Sequence, residues 1–136
     1  MIYADYAATT PVDPRVVSCM MPYLQTQFYN PSSLYPEARK VRAAVERARS
    51  QLAALLDAPP ERLIFTSGGT ETDNLAVIGT ALHPANRKRH IITSAIEHHA
   101  LLESCAWLET IGFRITYLPV DRFGRVSPDD LRDAMD

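Results

Sequence analysis

Apolar residues recur at helical spacing over positions 36–56, with charged residues between them. The apolar positions are Val41, Ala44, Val45, Ala48, Leu52, Leu55 and Leu56. A stripe with this spacing is typical of an amphipathic helix that buries one face. The pattern therefore predicts a helix over 36–56, which ends at the sequence DAPP of residues 57–60.

A shorter helix is predicted near the start of the chain, from Pro14 to about Leu24. Asp13 is a favourable N-cap for it, and proline is common in the first turn of a helix. The sequence NPSS of residues 30–33 predicts a turn that separates this helix from the next one.

Beyond residue 60, short apolar runs alternate with helical patterns. Strands are predicted at 63–65, 90–93 and 113–118. Helices are predicted at 72–82, at 98–111 and, with Ser127 as the cap, up to Met135. Alternation with short connections predicts parallel strands joined by crossover helices, which is the α/β class. Three strands leave an open edge, so we expect an incomplete sheet that is part of a larger fold.

The charge and hydropathy of the chain limit the classes of partner and the locations that are expected for it. A net charge of −2 argues against a nucleic-acid partner, because phosphate backbones are bound by clustered basic residues. The basic run of residues 87–90 is interpreted as a solvated connection, with a patch for an anion or a partner as the alternative. No apolar run is long enough to span a bilayer, and the first residues do not resemble a signal peptide. The expected localisation is cytoplasmic.

The cysteines and lysines show no sign of activation in the sequence. Cys19 and Cys105 fit a reducing compartment, and both are expected to be buried and unreactive within helices. The two lysines are Lys40, in an amphipathic helix, and Lys88, in the basic run. Neither lies in an apolar setting that would activate its amine for covalent catalysis.

The sequence TSGGTE of residues 66–71 stands between a predicted strand and a predicted helix. Such a turn exposes backbone N–H groups at the positive end of the helix dipole, which favours a bound phosphate or carboxylate. The hydroxyl groups of Ser67 and Thr70 are expected to add hydrogen-bond donors. The alternative is an ordinary connection in which Thr70 only caps the helix.

Two histidines, His98 and His99, follow the second predicted strand. Ligands of parallel α/β sheets lie outside the carboxyl ends of the strands, so we expect these imidazoles near the glycine turn. Adjacent helical residues point about 100° apart, and only one ring is therefore expected to face a ligand. The alternative is that both are ordinary polar residues at a helix start. The histidines lack the spacing of a helical metal site, and no metal is expected.

Four segments of the chain match one family in order and spacing. They are YADYAATTP at 3–11, NPSS at 30–33, TSGGTETDNLA at 66–76 and ITSAIEHHA at 92–100. With them the chain resembles the pyridoxal-phosphate-dependent cysteine desulfurases of the class V aminotransferase superfamily, in the branch that supplies sulfur for nitrogenase and iron–sulfur clusters. The resemblance implies a three-layer α/β fold with a mainly parallel sheet, that of the fold-type I pyridoxal phosphate transferases. Residues 1–35 would be an N-terminal arm and first helix, and 36–136 the first part of the cofactor-binding large domain.

The resemblance also implies roles for single residues. Gly69 and Thr70 would hold the phosphate of pyridoxal phosphate, through non-covalent contacts only. His98 would lie over the pyridine ring, stack on it and assist proton transfers, which makes it the one implied catalytic residue. The residues implied near the amino-acid substrate are Asn30, Ala8 and Thr9.

The implied activity converts L-cysteine to L-alanine and leaves persulfide sulfur on the enzyme for sulfur-acceptor scaffold proteins. A homodimer or a complementing polypeptide is implied as well. The family's cofactor-linking lysine and mobile catalytic cysteine match no segment of this chain, so the chain alone is expected to be inactive. Two alternatives stay open: a related enzyme, such as a selenocysteine lyase or a class V aminotransferase, or a non-catalytic module that binds phosphate ligands or partners.

Overall fold

The computed structural model describes residues 2–135. Its elements are α1 (Pro14–Gln25), α2 (Pro36–Leu55), α3 (Gly69–Leu82), β1 (His90–Ser94), α4 (His99–Thr110), β2 (Arg114–Leu118) and α5 (Pro128–Ala134). A 3-10 turn spans Pro60–Arg62. The chain divides into two compact units, Met1–Ile64 and Phe65–Asp136, called here the N-terminal and C-terminal units. The domain boundary expected after residue 35 stays a prediction.

The caps that the sequence predicts are present in the structure. The Asp13 carboxylate accepts a hydrogen bond from the backbone N–H of Arg15 at 2.8 Å at the start of α1. Ser127 accepts from the backbone N–H groups of Asp129 and Asp130 at the start of α5. These local bonds satisfy N–H groups that have no partner within a helix, which is why the starts of both helices are predictable.

The end of α2 is also decided by local geometry. Asp57 takes a left-handed conformation with φ of 49°, and the N–H of Ala58 donates to the carbonyl of Ala53 at 2.9 Å. This is the Schellman arrangement, which satisfies carbonyl groups left over at a helix end. The end of α4 repeats it with Gly112 at φ of 89°, where a glycine avoids the strain of a side chain.

The predicted apolar stripe of α2 is only partly covered. The buried residues of α2 are Ala38, Val41 and Ala53, of which Val41 alone belongs to the predicted stripe, and Leu55 is 83% exposed. No residue of α1 is buried, and Cys19 is therefore exposed, so the prediction of a buried thiol there is wrong. A helical pattern is set by residue spacing, but burial requires a second surface that covers the stripe.

The C-terminal unit contains a parallel pair of strands, which confirms the α/β class with a parallel sheet. β1 and β2 pair in register, with Ile91 opposite Ile115 and Thr93 opposite Tyr117. Cross-strand pairs of β-branched and aromatic residues favour such a pairing. The helix α4 connects the two strands.

The core of this unit joins both of its long helices to the sheet. Leu108 of α4 and Ala81 of α3 are buried beside Phe113. The partly buried residues around them are Val77, Ile78, Ile91 and Ile115. Cys105 is also buried, as predicted, and its burial raises the pKa of the thiol, helped by the charges of Glu109 and Glu97.

The strand predicted at 63–65 is not formed: among the described residues, the sheet consists of β1 and β2. The backbone at Leu63 is extended, but its carbonyl accepts a hydrogen bond from the Arg49 guanidinium. Ile64 is 66% exposed. An extended apolar run becomes a strand only when a neighbour supplies the ladder of hydrogen bonds. The following helix, α3, begins at Gly69 rather than at residue 72.

The second face of the sheet carries a polar cluster at the start of its strands. His90 Nε2 lies 2.8 Å from the Thr116 hydroxyl, and Arg114 donates to His90 Nδ1 at 2.7 Å. Burial, followed by the charge of Arg114, lowers the pKa of His90. The basic run is largely exposed as predicted, although the Arg89 guanidinium lies 4.6 Å from the centre of the Phe113 ring.

Within residues 2–135, no helix has both the length and the apolar character needed to cross a membrane.

Candidate functional site

The glycine turn leads directly into α3, with Gly68 as the N-cap and Gly69 as the first helical residue. Gly68 has no side chain to cap the helix, and the first intrahelical bond of the turn runs from Thr72 N–H to the Gly68 carbonyl at 3.1 Å. The N–H groups of the first helical residues therefore have no partner within the helix. This end of α3 offers donors and a positive dipole end to an anion.

The hydroxyl groups of Ser67 and Thr70 differ in their hydrogen bonding. The Ser67 hydroxyl donates to Glu71 Oε2 at 2.7 Å, so it is occupied and does not serve as the free donor that was predicted. The Thr70 hydroxyl is exposed and forms no hydrogen bond with the described residues. Thr70 is the second residue of α3, so its interpretation as the helix cap is wrong. Among the two hydroxyls, Thr70 alone is left to bind a ligand.

His98 is the N-cap of α4. Its Nδ1 accepts a hydrogen bond from the backbone N–H of Ala100 at 3.1 Å. An accepting Nδ1 places the proton of the neutral ring on Nε2, which is then able to donate to a ligand. The ring of His99 lies 6.3 Å away at an angle of 62°, so the two imidazoles face in different directions.

Thr70 and His98 line one groove between α3 and α4, with a volume of about 590 Å³. Other lining residues are Asn74, His99, Glu103 and Trp107. The groove lies wholly within the C-terminal unit, and α3 and α4 pack closely against each other. The structure thus brings together the hydroxyl at one helix start and the imidazole at the other.

Two residues that shape this site were not predicted from the sequence. Glu71 binds the Ser67 N–H and hydroxyl, and Asn74 donates through Nδ2 to the Thr70 carbonyl at 2.8 Å. The signal for Glu71 was a serine before the helix with a glutamate in its first turn, which is a variant of the capping box. No comparable sequence signal identifies Asn74, because asparagine is common on exposed helix faces.

The remaining predicted site residues lie in the N-terminal unit. Asn30 forms the expected turn: its Oδ1 accepts from Ser32 N–H at 2.9 Å, and its carbonyl accepts from Ser33 N–H at 3.0 Å. The N–H groups of Ala8 and Thr9 donate to the Asp5 carbonyl at 3.1 and 3.4 Å. Their predicted roles near a substrate stay predictions.

Within the described part of the chain, no group of three or more histidine, cysteine, aspartate or glutamate residues is placed to hold a metal ion.

The capping role of His98 can be tested separately from the presence of its imidazole ring. Replacing His98 with alanine is expected to lower the free energy of unfolding by about 0.5–2 kcal/mol, because the Ala100 N–H loses its acceptor. His98→Asn keeps a good N-cap and is expected to stay within a few tenths of a kcal/mol. Urea unfolding followed by Trp107 fluorescence measures both, and equal stability of the two variants would contradict the capping role.

Comparison with known proteins identifies relatives over almost the whole chain. Residues 2–136 match the family described as aminotransferase class-V. Cysteine desulfurase IscS of Dictyoglomus turgidum is 51% identical over 134 residues, which cover 98% of this chain and 34% of the relative. A cysteine desulfurase of Rattus norvegicus is 45% identical over 135 residues and is covered to 30%. The chain thus spans about a third of the length of these curated relatives.

Solved structures give the same picture at the level of the fold. A NifS-like protein superposes with a TM-score of 0.89 at 36% identity, over 97% of this chain and 36% of that one. A structure described as SspA in complex with cysteine superposes with a TM-score of 0.89 at 41% identity, over 98% of this chain and 39% of that one. The mixed fold described above is therefore shared with part of each of these proteins.

Proposed function

Because the chain belongs to the class V aminotransferase family, we propose that it is the N-terminal part of a pyridoxal-phosphate-dependent cysteine desulfurase. The observation that carries this proposal is that Thr70 and His98 line the same groove between α3 and α4. Its substrate would be L-cysteine, and the relatives named as cysteine desulfurases support that choice over selenocysteine or another amino acid.

The start of α3 suits the phosphate of pyridoxal phosphate. The N–H groups of Gly69 and Thr70 lie at the positive end of the helix dipole, and the Thr70 hydroxyl adds a donor. A volume of about 590 Å³ leaves room for the pyridine ring beside the phosphate. The donors and the space present in this chain therefore fit the cofactor.

His98 suits the ring of the cofactor. Its imidazole lines the groove and is fixed at Nδ1 by the Ala100 N–H, so the ring is oriented before a ligand binds. An oriented imidazole can stack on an aromatic ring and can hold a proton on Nε2. Pyridoxal phosphate, when bound, supplies an electron sink for bonds at the substrate Cα. His98 would steady the ring and carry protons next to it.

The wider assignments rest on the family alone. Asn30, Ala8 and Thr9 would lie near the amino-acid substrate. Sulfur would pass to scaffold proteins that assemble iron–sulfur clusters, and the enzyme would act as a homodimer or with a complementing polypeptide. The free thiols Cys19 and Cys105 fit a reducing compartment such as the cytoplasm.

A second candidate function is a phosphate-binding module without catalysis. The observation that favours it is the position of Lys88, the lysine of the C-terminal unit, which borders another cavity and does not line the groove of Thr70 and His98. This module would bind pyridoxal phosphate without a covalent link. The chain by itself is therefore expected to bind the cofactor without turning over L-cysteine, whereas the chain joined to the rest of a desulfurase is expected to turn it over.

The proposal is tested with the chain alone and with a chimera in which it replaces the matching third of the Dictyoglomus turgidum relative. The chain alone is expected to bind pyridoxal phosphate reversibly, to release sulfide from L-cysteine at background rate, and to give no borohydride-trapped adduct on Lys40 or Lys88. With an added thiol reductant to reduce the persulfide to sulfide, the chimera is expected to convert L-cysteine to L-alanine and to release sulfide. A folded chimera that binds the cofactor but leaves cysteine unchanged would support the module instead.

A further inference from the structure

The first turn of α3 carries a carboxylate, Glu71, whose negative charge a phosphate site would not need. We infer that Glu71 is a positioning residue, whose side chain holds the turn of residues 67–71 in the shape that presents the Gly69 and Thr70 N–H groups to phosphate. The inference rests on the proposed function, because it concerns the same phosphate site. It assigns Glu71 no contact with the cofactor.

Two hydrogen bonds fix Glu71 to the turn. Its Oε2 accepts from the backbone N–H of Ser67 at 2.7 Å and from the Ser67 hydroxyl at 2.7 Å. Both bonds are short and involve a carboxylate, which makes them stronger than bonds between neutral groups. They also lower the pKa of Glu71, so the carboxylate is ionised at neutral pH. Together they close the turn from its first residue to the first turn of the helix.

The segment that these bonds span contains the two glycines of the turn. Gly68 and Gly69 lack side chains, and a Cβ added to either one would meet no atom within 4 Å. Glycine loses more conformational freedom on ordering than any other residue, so two of them in open space form a flexible link. The bridge between Ser67 and Glu71 spans both glycines and restricts them.

A second brace lies beside the first. The hydroxyls of Thr66 and Thr72 are 2.7 Å apart, and Thr72 donates to the Gly68 carbonyl at 3.1 Å. Neither brace uses the Gly69 or Thr70 N–H or the Thr70 hydroxyl. The turn is therefore held through groups other than those that the phosphate requires, which is the arrangement expected of a pre-organised site.

The charge of Glu71 works against the bound anion. A carboxylate in the first turn of α3 repels phosphate. Its negative charge also offsets part of the attraction that the positive end of the helix dipole exerts on an anion. Glu71 therefore has two opposed effects on phosphate binding. Its hydrogen bonds order the turn and strengthen binding, whereas its negative charge weakens binding. Glutamine keeps an oxygen that accepts from Ser67 and removes the charge, whereas alanine removes both.

The test compares Glu71→Gln with Glu71→Ala in the full 136-residue chain, with inorganic phosphate as the probe and amide chemical shifts as the readout. Glu71→Gln is expected to bind phosphate as tightly as the unaltered chain or up to about fivefold more tightly. Glu71→Ala is expected to bind about tenfold more weakly, because the free turn must be ordered on binding. Without phosphate, 15N relaxation should show Gly68 and Gly69 mobile in Glu71→Ala and ordered in Glu71→Gln.

Glu103 provides a matched control in the same groove. It lies on α4, and no hydrogen bond joins its side chain to the turn within the described residues. Glu103→Gln and Glu103→Ala should therefore bind phosphate alike, and both should leave the two glycines ordered. This pair of variants measures the effect of a carboxylate that lines the groove and acts on phosphate through its charge, without hydrogen bonds to the turn.

The outcomes separate this inference from the function on which it rests. Equal phosphate affinity of Glu71→Gln and Glu71→Ala, in a chain that binds phosphate, would overturn the positioning role and leave the phosphate site standing. Ordered glycines in Glu71→Ala would overturn it as well. Failure of the unaltered chain to bind phosphate would overturn the phosphate site together with this inference.

Discussion

Replacing Thr70 with alanine is expected to weaken the binding of pyridoxal phosphate by about 5- to 150-fold, equivalent to about 1–3 kcal/mol for a hydrogen bond to a charged group. The Thr70 hydroxyl is exposed at the start of α3, and it is the hydroxyl of the turn that the fold leaves unoccupied. Its loss removes a donor to the phosphate and leaves the helix intact, because no described residue bonds to it. Spectroscopic titration of the cofactor measures the change.

Two further variants make the Thr70 experiment specific. Thr70→Ser keeps the hydroxyl and should bind within about threefold of the unaltered chain, since the charge-assisted bond is retained. Thr80→Ala makes the same substitution in the same helix but outside the groove, and binding should not change. Unaltered binding by Thr70→Ala would place the phosphate elsewhere and contradict the proposed site.

Replacing Leu108 with alanine is expected to lower the free energy of unfolding by about 2–5 kcal/mol. Leu108 has 0% exposure and joins α4 to α3 and to Phe113 in the core of the C-terminal unit. The substitution leaves a cavity that its neighbours fill only in part. Trp107 is the single tryptophan of the chain and belongs to this unit, so its fluorescence follows the unfolding of this unit.

Leu75→Ala is the matched control for the core. Leu75 lies on α3 and is 47% exposed, so its truncation is expected to cost about 1 kcal/mol or less. A loss of stability in Leu108→Ala no greater than that of Leu75→Ala would mean that the core of this unit does not lie between α3 and α4. The midpoints of chemical denaturation of both variants measure the two losses of stability.

Much of the fold was predictable because its signals are local. The starts of α1 and α5 follow from Asp13 and Ser127, which bond to N–H groups two or three residues away. The two strands follow from short apolar runs, and their register places Ile91 against Ile115. In each case the predicting residues and the bonds that they form lie close together in the chain or in one pair of strands.

The incorrect predictions have a different origin. The run at 63–65 has the composition of a strand but is not part of the described sheet of β1 and β2, and Cys19 lies on α1, which has no buried residue in the described structure. Strand pairing and burial both depend on a second surface. A residue pattern specifies which face is apolar, but it does not contain the surface that meets this face.

For the candidate site, residue identity and short-range order were enough to predict the glycine turn at a helix start, the two adjacent histidines and the family. Which groups of the site are available to a ligand depends on the folded chain. It committed the Ser67 hydroxyl to Glu71, left the Thr70 hydroxyl unbonded, and made Nδ1 of His98 a helix cap. It also placed Thr70 and His98 in one groove, since the packing of α3 against α4 brings distant segments together.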